Sequence, residues 1–170
     1  ASARAQDDPA NAAHAKTLVI KVVGTGGAPT VGTGPGGACT VGYSAQCASG
    51  SCVCLTIPTA VATGDFFSKQ KGNVAAVSLT LDSGDELADT GCIPFFGEMA
   101  LTASNAATAT LDLAGTSCPA TGTKPDTLIG GWGLVEPSSP TATGVGKIAS
   151  GTLDLTTGVL NVKVRGPITE

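Results

Sequence analysis

Hydrophobic and polar positions alternate with period two along most of the chain, and glycine, proline and asparagine break the alternation at short intervals. That period is the mark of a strand buried on one side. "TLVIKVVG", residues 17–24, predicts a strand with Leu18, Ile20 and Val22 on one face and Val19, Lys21 and Val23 on the other. In "VCLTIPTAVAT", residues 53–63, Pro58 cannot donate to a ladder, so this strand is expected at an edge or with a bulge. "NVAAVSLTLD", residues 73–82, sets Val77, Leu79 and Leu81 inward against Ser78 and Thr80. "FFGEMALTA" and "ATATLDLAG" read as a hairpin across Ser104-Asn105-Ala106. "TLIGGWGLVE" predicts a strand interrupted by Gly130 and Gly131. "GKIASGTLDL" and "VLNVKVRG" are joined by "TTG", where Gly158 takes the left-handed position of a three-residue hairpin loop.

These segments predict an all-β fold, a single antiparallel β-sandwich or β-barrel domain with a disulfide-stapled loop and an extended N-terminal arm and strand. Asp8-Pro9 ahead of "ANAAHAK" offers a cap and a first-turn proline for a short helix in the arm. "GTGGAPTVGTGPGGA" is a Gly/Pro linker. The expected division is therefore 1–38 for arm, strand and linker and 39–170 for the stapled domain. Thr-Leu-Asp recurs at residues 80, 110 and 152. The unequal spacing argues shared hairpin chemistry, with Asp opening a turn, over a repeat of fixed period.

The last third, "GGWGLVEPSSPTATGVGKIASGTLDLTTGVLNVKVRGPI", resembles the Gly-rich tail of secreted bacterial β-barrel domains related to allene oxide cyclase and dirigent proteins. The resemblance implies a barrel able to hold a small ligand. It carries no catalytic residue onto this chain.

Composition narrows the chemistry. The chain has 9 Lys and Arg against 13 Asp and Glu, a net charge of −4 and only 13% charged residues. The basic residues are scattered in sequence, so no nucleic-acid partner is expected. With 42% hydrophobic residues the chain should fold, while 4% aromatics leave little to stack on a cofactor, and none is expected. No apolar run approaches the ~18 residues of a transmembrane segment.

Four of six cysteines, Cys39, Cys47, Cys52 and Cys54, fall within sixteen residues, and Cys92 and Cys118 stand apart. Zinc knuckles want C-x2-4-C twice, and only Cys52-Val53-Cys54 comes near. We also expect those two thiols on opposite faces of a strand, which would keep them from one ion. Disulfides are the better reading: two within the cluster, with connectivity open, and a third joining Cys92 to Cys118. Six paired cysteines imply a secreted or cell-surface protein.

The single histidine, His14, lies in the arm, which leaves no partner for a Ser or Cys nucleophile. Asp82, Asp85, Glu86 and Asp89 gather in "LDSGDELADTG" as a possible calcium site or a solvated turn. "GTGGAP" lacks the third glycine and the helix of a dinucleotide fingerprint. Trp132 is expected to fill core space. The functional expectation is an extracellular, non-enzymatic structural protein, possibly a pilus-like fibre subunit, whose strand residues Leu18, Val19, Ile20, Val22 and Val23 pair with a neighbour. Its partners would be copies of itself or another extracellular protein. The alternative is a secreted small-ligand-binding barrel, isomerase-like or dirigent-like.

Overall fold

The computed structural model describes residues 15–25, 30–33, 49, 51–66, 70–103, 108–135 and 143–169. They form nine strands: β1 (Ala15–Thr25), β2 (Thr30–Thr33), β3 (Ser51–Phe66), β4 (Gln70–Leu81), β5 (Ile93–Ala103), β6 (Thr108–Cys118), β7 (Asp126–Leu134), β8 (Thr143–Asp154) and β9 (Val159–Thr169). From β3 to β9 each strand pairs antiparallel with the next, and β1 closes the ring by pairing with β9 on one edge and β3 on the other. The result is a closed eight-stranded antiparallel β-barrel, with β2 laid against the start of β3. The register that sets Gly24 opposite Ala60 sets Thr30, six residues on, opposite Cys54, six residues back. β1 and β2 thus track the same edge of β3 as two lengths of one interrupted stave.

Local chemistry explains the long β3. Its ladder with β4 slips between Ile57 and Ala60, around Pro58, and again between Val61 and Asp65. A bulge adds bend and twist, and two of them let one strand of 16 residues serve β4 while curling toward β1. At the seam Gly64 sits at φ 116°, and a side chain there would strike the Val19 carbonyl oxygen. Closure at this point therefore requires glycine on both conformational and steric grounds.

Alternation fills the interior. Val77, Leu79 and Leu81 face inward as expected and are buried, opposite Ile57, Leu55 and Val53 of β3 and Met99, Gly97 and Phe95 of β5. Every stave adds to one cluster, from Ile20 and Val22 on β1 to Val162 and Val164 on β9. Each fully buried Leu, Ile or Phe contributes about 1.5–3 kcal/mol of transfer free energy. The β5–β6 and β8–β9 hairpins form as the pattern predicts, and Gly158 takes φ 75° in the second turn.

Trp132 on β7 is buried and points into the barrel, where its indole lies against three backbone positions without side chains. A Cβ on Gly144 would come 3.1 Å from its Cη2, one on Gly146 2.6 Å from its Nε1, and one on Gly166 3.0 Å from its Cζ2. The indole N–H donates to the Arg165 carbonyl oxygen at 3.1 Å. The glycines of the last third are thus the wall on which the one tryptophan rests.

Two expectations need correction, and the expected domain boundary falls where the structure gives no description. Val19, Ile20, Val22 and Val23 lie in a strand paired on both edges within its own barrel, and Leu18 pairs with Gly166 of β9, so β1 has no free edge from Val19 to Gly24. Ile20 and Val22 are buried in the core. The boundary placed at residue 38 lies outside the described residues, and β1 and β2 to its N-terminal side belong to the barrel wall. Cys52 and Cys54 share a face, because residues two apart in a strand must. Cys54 stands opposite Thr80, and Leu55 opposite Leu79, so both thiols point out of the barrel while Val53 and Leu55 point in. Both cysteines are nevertheless buried, as is Thr80, whose hydroxyl has no hydrogen-bond partner.

Candidate functional site at one end of the barrel

Antiparallel staves bring alternate loops to one end, and here that end collects most of the chemistry. It holds the start of β3, the β4–β5 connection, the ends of β6 and β8 and the start of β7. Cys92, ahead of β5, is bonded to Cys118, the last residue of β6. The bridge ties the β5–β6 hairpin at its open end, with a sequence separation of 26. Cys52 and Cys54 are also disulfide-bonded, and among the described residues no cysteine is free. Cys39 and Cys47 lie outside the described residues, as do the helix expected in the arm and His14.

Of the four carboxylates of the proposed calcium loop only Asp82 and Asp85 come together. Asp82 is buried and accepts hydrogen bonds from both the backbone amide and the hydroxyl of Ser49. Its own amide donates to the Pro94 carbonyl at 2.8 Å, and its carbonyl receives the Asp85 amide at 3.0 Å. Asp82 therefore pins the segment leading into β3 against the β4–β5 connection. Repulsion from Asp82 pushes the Asp85 carboxyl above the usual range. Asp85, Glu86 and Asp89 are exposed. Among the described residues no group of three or more His, Cys, Asp or Glu could hold a metal ion, and Asp82, Asp85, Glu86 and Asp89 form no such group.

A second carboxylate pair lines a cleft of about 420 Å³ formed by Gly122–Asp126 and Leu153–Thr157. Asp126 opens β7 and accepts a bond from the buried Ser117 hydroxyl at 3.4 Å. Burial pushes its carboxyl up, the Ser117 bond draws it back, and Asp154 nearby pushes it up again. Asp154 is already engaged. Its Oδ1 accepts the amides of Thr156 at 2.9 Å and Thr157 at 3.2 Å, and its carbonyl accepts that of Gly158 at 2.7 Å. This is an Asx turn that shapes the last hairpin. The Thr-Leu-Asp echo divides accordingly: Asp82 and Asp154 organise turns, while Asp112 lies mid-strand in β6.

The polar groups of this end hold loops in place. The outer wall is different. Beside Val145, one of the most exposed apolar side chains, a shallow groove of about 350 Å³ runs over Ala114, Gly131 and Gly133. A second of about 340 Å³ lies between Lys147 and Arg165 over Gly146 and Gly166. Sequence reasoning missed both, because their lining comes from four strands, and the floor of the second is made of glycines that lie against the tryptophan beneath. No family description, curated protein or solved structure matches the chain.

Proposed function

We propose that this chain is a secreted or cell-surface structural protein, non-enzymatic, that assembles with copies of itself or with another extracellular protein through the outside of its barrel. One observation carries the reading: all eight staves are paired on both edges and their inner faces fill one apolar core, which leaves the outer wall as the surface that can meet a partner. The disulfide-bonded cysteines among the described residues support an oxidising compartment. Strand exchange of the pilus kind would need β1 to leave both its neighbours, so a contact between folded walls is the route favoured here. Light scattering and electron micrographs across a concentration series test it. Oligomers or filaments are expected, and discrete monomers at every concentration would overturn the reading.

A second reading, a small-ligand barrel of the dirigent-like or isomerase-like kind, is supported by the closed eight-stranded architecture and the 420 Å³ cleft at the barrel mouth. A bound lipid or terpenoid in mass spectra of gently purified protein would select it.

A further inference from the structure

The outward charges along the staves are paired in an unusual way. Asp126 and Asp154 serve the barrel end, and Asp65 stands opposite Lys71 across β3 and β4 with unlike sign; of the remaining charged strand residues all but Lys16 stand in three directly opposite pairs of like sign. Glu98 on β5 faces Asp112 on β6. Lys147 on β8 faces Arg165 on β9, and Lys163 on β9 faces Lys21 on β1. Like charges directly across a ladder destabilise a sheet. In a chain with 13% charged residues, mixing the signs would have avoided all three repulsions.

The topology separates the signs in space. Around the ring the order is β1, β3, β4, β5, β6, β7, β8, β9 and back to β1. The fourth neighbour of a stave in a ring of eight lies across the barrel from it. β5 is thus opposite β9, and β6 opposite β1. The acidic pair and the basic pairs occupy opposed walls. Among the described residues Lys21, Lys147, Lys163 and Arg165 make no ion pair, although the chain as a whole is acidic. The basic residues that look scattered in sequence are assembled by strand register.

We propose that the β8–β9–β1 wall of one molecule docks on the β5–β6 wall of a second copy. The inference rests on the assembly reading and names its contact. The two basic pairs, which make no ion pair within the monomer, then meet the wall that carries Glu98 and Asp112, and the groove between Lys147 and Arg165 offers an apolar floor between the charges. Because the two surfaces differ and face opposite ways, the contact is head to tail and does not close on itself. Repetition gives an open filament, not a twofold dimer. The occupant is the same chain because its own acidic wall supplies the complement.

The test uses two variants of the full chain. K21E/K147E/K163E/R165E makes both walls acidic, and E98K/D112K makes both basic. Each alone should remain monomeric by sedimentation where the wild type associates, with apparent affinity down at least about tenfold. Mixed in equal amounts they should associate again, alternating along the filament. Raising salt to about 1 M, where screening acts within ~3 Å, should dissociate the wild type. K147Q/R165Q, which carries no new repulsion, should fall between, and thermal melts establish that every variant is folded. Assembly of the wild type together with equal assembly of both folded reversal variants would overturn the docking geometry and leave the assembly reading standing. Failure of the mixture to associate would overturn it too, and a wild type that is monomeric at low salt would overturn both.

Discussion

Replacing Gly146 by alanine tests whether the glycines of the last third exist to seat the tryptophan. The new Cβ would lie 2.6 Å from Trp132 Nε1 and 2.7 Å from the Gly166 Cα, and would also strike the Arg165 carbonyl oxygen. Two of those obstacles are backbone, so the ring or the β8–β9 ladder must move. Overpacking of this kind costs about 1–3 kcal/mol. If the ring moves, the buried indole N–H loses the Arg165 carbonyl at 3.1 Å, which adds about 1–3 kcal/mol. A destabilisation of roughly 2–6 kcal/mol follows. Gly133, one residue beyond Trp132, is the control, since a Cβ there meets nothing within 4 Å. Its alanine variant should lie within about 0.5 kcal/mol of the parent. Urea denaturation followed by fluorescence suits the measurement, because the chain has one tryptophan and it sits at the perturbed place. Similar midpoints for the two variants, or a Gly146→Ala cost below about 0.5 kcal/mol, would refute the cradle.

Removing the Cys92–Cys118 bridge with a paired serine substitution should cost about 3–4 kcal/mol in the loop-entropy account, given the separation of 26; a loss under about 1 kcal/mol would show the hairpin ends hold without it. Thr80→Val removes a buried hydroxyl that has no partner and should stabilise by about 1 kcal/mol in the same denaturation assay, with any loss of stability counting against the assigned burial. For Asp126 the folded carboxyl is raised, so the folded state binds more protons than the unfolded between the ordinary aspartate value and the raised one. Stability therefore falls as pH rises through that window and the cost persists at neutral pH. Asp126→Asn should be more stable than the parent at neutral pH and should lose that advantage at pH below the ordinary aspartate value; a variant equally destabilised at both would point to the Ser117 bond as the dominant effect.

What the sequence disclosed was whatever depends on near neighbours. The period of two placed Val77, Leu79 and Leu81, and turn chemistry placed Gly158. Pro58 announced the bulge in β3 because a missing donor has a local consequence. What stayed hidden depends on pairing across the sheet. Nothing in "TLVIKVVG" says that both edges will be taken, one by β9 and one by β3, so the strand reads equally as one offered to a neighbour. Thr80 faces outward as its parity requires, yet it is buried, since alternation gives the direction of a side chain and not what covers it. The carboxylates of "LDSGDELADTG" cluster in sequence, but in space only Asp85 stays beside Asp82, which turns to Ser49. The four cations do the reverse, gathered from β1, β8 and β9 by register alone.

The closure of the ring by β1 also sets an order of events for folding. β1 is made first among the staves, and its longest ladder is with β9, the last. Until β9 arrives one edge of an apolar strand stays open, and such edges invite wrong pairings while they wait. The meander from β3 to β9 is built of hairpins between sequence neighbours and can form progressively, but the final step joins segments more than a hundred residues apart. Pairings at that separation are slow because the loop must close before any contact rewards it. The first strand is therefore the last to be secured, and a chaperone or a delay in release would matter most for the interval between the two.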